Sequence, residues 1–265
     1  WKNSRLHIIN FMSETIKRVY KEDGRRYYEV KKDGKKVIAT LPSVTTVMGS
    51  MSDKSGLDAW RKRVGEEEAD RISNLSMNRG TIMHRLIELY KPMPGTQQEK
   101  RDNLEDIAPT DEEILEITEL ENGQLYYNEA WKMFDKFWYN NSRFFGRVKK
   151  VIDSERFLWT LKGGGYAGTL DNVSELDDGS IKIIDYKNSR RPKREEWVQD
   201  YFRQTAAYWV AYWDRTGIKA DGAEIWIANE VDLMPQCFSL DQEQLKDYYK
   251  SFMEIRESYR EKYGE

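Results

Sequence analysis

Gly168-Thr-Leu-Asp-Asn-Val-Ser-Glu-Leu-Asp-Asp-Gly-Ser-Ile-Lys-Ile-Ile-Asp-Tyr-Lys187 is the stretch that decides the fold. Both halves are strand-like. Asp177-Asp178-Gly179 between them reads as a three-residue hairpin loop, with glycine last because it accepts the left-handed conformation. Pairing Leu176 with Ser180 across that loop fixes the register and brings Asp171 opposite Asp185. Directly opposed residues have Cβ atoms roughly 4.5–5.5 Å apart. Lys187 lies two residues past Asp185 and points to the same face. Like charges facing each other destabilise a sheet. Two opposed carboxylates beside a lysine therefore suggest a bound divalent cation; a hairpin with solvent-facing charges is the blander reading. The same register sets Val173 opposite Ile183. Apolar residues there would pack under a helix, so the acidic pair falls where the sheet leaves its core.

Working outward, Arg147 to Thr160 and Ser180 to Tyr186 flank Tyr166 to Leu176 as strands, with Gly163-Gly164-Gly165 connecting the first pair. Glu195 to Arg215 has helical periodicity and ends near Gly217. Ala223 to Asn229 and Leu233 to Phe238 read as two more strands, and Gln242 to Tyr263 as a final helix. Upstream, residues 16–38 alternate as a small meander with turns at Asp23-Gly24 and Asp33-Gly34. A helix opens within Leu41 to Met48, with Pro42 and Ser43 as start signals. Further helices are expected over Lys54 to Leu75, Arg79 to Tyr90 and Asp111 to Tyr139, the last with a possible break at Gly123. Residues 92–109 read as an exposed loop. Three regions result: an N-terminal extension and meander (1–40), a helical region (41–146) and a strand-rich core (147–265). Together they form one α/β (α+β) structural domain with a mixed central sheet flanked by helices.

Composition narrows the function. The chain has 265 residues, of which 34% are charged and 13% aromatic; that aromatic content opposes global disorder. No apolar run approaches the roughly 18 residues of a membrane span. Cys237 is the single cysteine, which excludes a disulfide framework and a four-cysteine iron–sulfur cluster. No Gly-x-x-x-x-Gly-Lys-Ser/Thr loop is present, so no ATP site is expected. The net charge is −3, but Lys187 to Arg194 holds five basic residues in eight positions. Met12-Ser-Glu-Thr looks like a natural start, with residues 1–11 an added segment. No transit pattern is visible, so a bacterial or phage-infected cytoplasm is expected, with the mitochondrial matrix as alternative.

Two more spacings carry chemistry. In Gly80-Thr-Ile-Met-His84 a helix would set Glu88 one turn from His84, on the same face. Gln204-Thr-Ala-Ala-Tyr208 likewise places both side chains on one face. Asp171, the hairpin spacing and Asp185-Tyr-Lys187 resemble the core of the PD-(D/E)xK nucleases, with Leu170 in place of the proline. The His84 and Gln204–Tyr208 motifs resemble the Gly-x-x-x-His and Gln-x-x-x-Tyr motifs of the RecB-type exonuclease branch. Asp185-Tyr-Lys-Asn-Ser-Arg-Arg-Pro-Lys193 and Leu41-Pro-Ser-Val-Thr45 are similar to stretches in mitochondrial, phage and bacterial exonucleases of that branch. The resemblance runs from about residue 41 to 210.

The resemblance implies a restriction-endonuclease-like core hydrolysing phosphodiester bonds. Asp171, Asp185, His84 and the Tyr186 carbonyl would hold Mg²⁺ or Mn²⁺, and Lys187 would orient the attacking water. Glu155, Glu88, Gln204 and Tyr208 are supporting residues. Ser43, Thr45, Ser189, Arg190, Arg191 and Lys193 are candidate DNA contacts. The expected substrate is DNA, single-stranded with a free end. Replication or recombination proteins are possible partners. Double-strand cleavage with the same site, or DNA binding without catalysis, are the alternatives. Alanine at Asp185 or Lys187 should abolish cleavage with little loss of fold.

Overall fold

The computed structural model describes residues 14–264. Met12 and the segment before it lie outside the described residues. The chain begins with an antiparallel sheet, β1 (Glu14–Tyr20), β2 (Arg26–Lys32) and β3 (Lys36–Pro42). Its turns fall at Gly24 and at Asp33-Gly34, all with positive φ. Ser43 then caps α1 (Val44–Met51), its hydroxyl accepting from the Thr46 amide at 2.9 Å.

The expected helix over 54–75 divides into α2 (Ser55–Val64) and α3 (Glu66–Tyr90), because Gly65 adopts φ 89° between them. The helix expected over 79–90 is the second half of α3. Residues 92–109 are not all loop. They contain α4 (Gln97–Ile107), started by a reciprocal capping box between Thr96 and Glu99. α5 (Glu112–Thr118) and α6 (Gly123–Tyr139) follow, separated at the expected break. A Cβ on Gly123 would lie 2.3 Å from the Thr118 carbonyl oxygen, so the chain can turn there only with glycine.

The second sheet has the order β4 (Val148–Thr160), β5 (Tyr166–Leu176), β6 (Ile181–Ser189), β7 (Gly222–Asn229) and β8 (Gln236–Asp241). β6 and β7 are parallel, joined through α7 (Gln199–Thr216); the other neighbours are antiparallel. α8 (Gln242–Tyr263) closes the chain. The mixed sheet flanked by helices is the fold class read from the sequence.

Each face of this sheet has its own core. Val173, Ile183, Ile225 and Ile227 pack with Phe202 and Ala206 of α7, Phe252 of α8 and Val44 and Val47 of α1. Ile184, Tyr186, Trp226 and Ala228 pack with Met83 and Ile87 of α3 and Phe134 and Phe137 of α6. The alternation 183/184 and 225–228 is the period of two a strand imposes. A smaller cluster, Tyr28, Leu41 and Ala167, with Phe157 and Trp159 against it, seats the N-terminal sheet on the β4–β5 pair.

Candidate active site

The hairpin register is as the loop predicts. Leu176 donates its amide to the Ser180 carbonyl at 2.9 Å, Gly179 has φ 82°, and Val173 pairs with Ile183. Pairing of β5 with β6 stops at Asn172 and Ile184. One residue further, the Asp171 side chain replaces the ladder: its Oδ2 accepts the Tyr186 amide at 2.8 Å. On the other side of β5, Ser154 pairs with Asn172 and Arg156 with Leu170, so Glu155 is opposite Asp171. Glu155, Asp171 and Asp185 thus occupy one row across three strands.

Glu155 is held at φ 45°, a conformation rare for a residue with a long side chain. The distortion sits where its carboxylate meets the site. His84 Nδ1 is 3.7 Å from Asp171 Oδ1 and 3.9 Å from Glu155 Oε1. One ligand atom from each of His84, Glu155 and Asp171 lies within 4.8 Å of the others. The second ring nitrogen, His84 Nε2, is 2.8 Å from the Tyr186 carbonyl oxygen. With a proton on Nε2, the ring donates to that carbonyl and presents the Nδ1 lone pair to the carboxylates. A ring anchored through its other nitrogen is the usual arrangement of a metal-ligating histidine.

Two of the expected ligands, His84 and Asp171, converge, and Glu155 joins them. Among the described residues the converging trio contains Glu155 in place of Asp185. The Tyr186 carbonyl oxygen faces the imidazole at 2.8 Å. Asp185 is 3% exposed, and its Oδ2 lies 2.5 Å from Lys187 Nζ. Burial, opposed by Lys187, pushes the Asp185 carboxyl up to about 6. Burial also disfavours the Lys187 charge, but the Asp185 and Asp171 carboxylates outweigh it and hold the ammonium well above its ordinary range. The Lys187 ammonium also lies 5.3 Å from the Tyr201 ring centroid.

The supporting residues divide. Glu88 lines the same cavity of about 580 Å³ as His84, Glu155 and Asn188, but its carboxylate is ion-paired with Arg85. Gln204 donates to the Tyr208 hydroxyl at 3.3 Å, as the shared helix face predicts. Tyr208 packs so closely on β5 that a Cβ on Gly168 would fall 2.8 Å from its ring. That contact accounts for glycine three residues before Asp171.

Two expected DNA contacts are engaged within the fold. Ser43 is 1% exposed and engaged as the α1 cap, and Ser189 is 6% exposed with its hydroxyl on the Arg191 carbonyl at 2.8 Å. Both hydroxyls shape local backbone. Thr45 is exposed and accepts from the Arg26 guanidinium at 2.5 Å. Arg190 and Arg191 are exposed, on a loop fixed by Ser189 and by the paired bonds of Lys193 backbone with the Gln236 side chain, 2.7 and 2.8 Å.

Sequence reading missed Lys91. Its ammonium is buried without a hydrogen-bond partner among the described residues and sits 4.6 Å from the Tyr186 ring centroid. Burial lowers it to about 7, against the pull of Asp171, Glu155 and Glu88. Burial and the Asp171 and Glu88 charges raise Glu155 to about 8. A hard divalent cation with oxygen ligands plus one imidazole would relieve the repulsion on Glu155. The residues present fit Mg²⁺ or Mn²⁺.

No curated protein matches the chain in sequence. A candidate exonuclease from Eubacterium rectale is similar in structure, with a TM-score of 0.43 and 13% identity, covering 68% of each chain. The protein SSO0001 is similar with a TM-score of 0.31 and 10% identity, covering 66% of this chain and 84% of its own. The family model described as PD-(D/E)XK nuclease superfamily matches residues 51–261, which include every strand and helix that shapes the site. The chain belongs to the PD-(D/E)XK nuclease superfamily.

Proposed function

We propose that this nuclease is a Mg²⁺- or Mn²⁺-dependent deoxyribonuclease that removes nucleotides from a free end of single-stranded DNA. The observation that carries the reading is the meeting of His84, Glu155 and Asp171 beside a charged, half-buried Lys187. His84, Glu155 and Asp171 would hold the cation. When bound, it supplies polarisation of a phosphoryl oxygen and lowers the pKa of a bound water.

The protein's own groups account for the remaining steps. Lys187 sits at the open end of β6 with a fixed ammonium, suited to orient a water and to stabilise charge developing on the phosphoryl oxygens. Asp185 holds that ammonium in place. Arg190, Arg191 and Arg194, exposed on the loop that leaves β6, supply phosphate contacts. Trp197 follows on the same loop, 60% exposed and 5.3 Å from the Arg194 guanidinium. An exposed indole beside a guanidinium is a stacking platform for an unpaired base, and this supports a single strand as substrate.

The test is cleavage of a labelled linear single strand with Mg²⁺ or Mn²⁺, beside its circular form and a linear duplex, with Asp185→Ala in parallel. Loss of the linear single strand alone, absent in the variant, is the expected result. Cutting of the circle or the duplex would replace this reading with an endonuclease or a double-strand resection enzyme. Wild-type activity in the variant would remove Asp185 from the site.

A further inference from the structure

We propose that Arg79 is the positioning residue of this site: with Asn188 it locks α3 onto β6 and so sets where the His84 ring stands. The proposal builds on the reading of His84 as a cation ligand. Arg79 is 1% exposed, lies five residues before His84 on α3 and contacts no atom of the trio reported above. Its Nε and Nη2 both donate to Asn188 Oδ1, at 2.9 and 2.7 Å, and its Nη1 donates to Glu230 at 2.5 Å. Asn188 is the residue after Lys187 on β6, and its Nδ2 donates back to the Ser76 carbonyl of α3 at 3.3 Å. One arginine therefore ties the histidine-bearing helix to the catalytic strand and to the segment following β7.

Gly80 shows how tight this joint is. A Cβ there would lie 2.6 Å from Asn188 Nδ2. An amide at the tip of a free side chain could swing away, but this one is held at its oxygen by Arg79 and at its nitrogen by Ser76. The glycine of the Gly80…His84 spacing is thus explained by the seat of Asn188. Four residues on, the same helix delivers His84 Nε2 to the Tyr186 carbonyl. A shift of α3 away from β6 would break that bond and carry Nδ1 out of reach of Asp171 and Glu155.

The experiment uses the whole chain with Arg79→Met, Gly80→Ala, Asn188→Ala and the Gly80→Ala/Asn188→Ala double variant. Mn²⁺ affinity is read by calorimetry. The His84 Nε2 proton is followed by NMR; with two histidines in the chain, His7→Asn assigns it. We expect Arg79→Met and Gly80→Ala each to weaken Mn²⁺ binding about 10- to 100-fold, the range for outer-shell groups that orient a ligand. Both should expose the Nε2 proton to solvent exchange. In the Asn188→Ala background, Gly80→Ala should cost nothing further, because the obstacle is gone.

If Arg79→Met does not fold, the Gly80/Asn188 cycle decides alone. A folded Arg79→Met with unchanged Mn²⁺ affinity and a protected Nε2 proton overturns the proposal. So does a Gly80→Ala effect of equal size in both backgrounds. A wild-type protein that binds no Mn²⁺ removes the cation site instead, and the Nε2 proton and the cycle, read by denaturation, still judge the joint.

Discussion

Asp171 Oδ2 accepts the amide of Tyr186 at 2.8 Å, one residue beyond the last paired residues of β5 and β6. One carboxylate thereby both ends the ladder and faces His84 with its other oxygen. These tasks separate by substitution. Asp171→Asn keeps an acceptor for the amide and loses the charge. Asp171→Ala leaves the amide of a buried residue unpaired, at about 1–3 kcal/mol. Urea denaturation should find the Ala variant less stable by that amount and Asn close to wild type. Both should lose at least about 100-fold in cleavage, since even outer-shell changes reach that size.

Lys187→Ala carries a structural cost that the sequence did not suggest. It leaves Asp185, 3% exposed, without its ammonium. Breaking a buried pair on one side costs about 3–5 kcal/mol. The expectation of little loss of fold is therefore revised for this residue. Asp185→Asn combined with Lys187→Met should recover most of the stability and none of the cleavage, as a melting curve beside an activity assay would show.

Glu155→Gly separates strain from function. Glycine adopts φ 45° without penalty, and the substitution also removes a carboxyl that burial raises to about 8. The cation-free variant should be more stable by about 1 kcal/mol, the low end for a strained backbone. It should also lose the gain in melting temperature that Mn²⁺ gives the wild type. A variant that is both less stable and still stabilised by Mn²⁺ would deny Glu155 its place.

Glu224 gives a pH signature away from the site. It is 3% exposed, bonded by Arg147 at 3.0 and 2.9 Å and by the Trp226 indole at 2.8 Å. Burial alone would raise its carboxyl, but these donors win and hold it below the ordinary range. A depressed carboxyl stabilises the fold above its unfolded pKa, and the contribution fades as pH falls through the folded value. Glu224→Gln should therefore be markedly less stable than wild type near pH 7, with the gap narrowing below about pH 4, the unperturbed glutamate range.

What the sequence disclosed followed from strong local rules. Gly179 fixed the hairpin loop, the loop fixed the register, and Val173–Ile183 showed which face was buried. Resemblance to family motifs singled out His84, Gln204 and Tyr208, and four-residue helical spacing accounts for the Gln204–Tyr208 contact. Failures came where burial contradicts residue type. Lys91 and Arg79 are long cations that usually reach water; only the packing of α3 against β6 reveals them as buried. α4 has a single buried residue, Leu104, so it lacks an apolar stripe, although the Thr96…Glu99 capping signal was present. The positive φ of Glu155 has no local mark at all, because no glycine, asparagine or turn accompanies it.

His84 and the Tyr186 carbonyl it meets are 102 residues apart in the chain. An ion shared by His84, Glu155 and Asp171 would therefore act as a clasp on chain topology, closing a long loop that holds α4, α5 and α6. Its release would lower the barrier to opening that whole segment at once. Proteolysis between α3 and β4, slow in Mn²⁺ and fast in chelator, would be the visible trace of a catalytic ion that doubles as a cross-link.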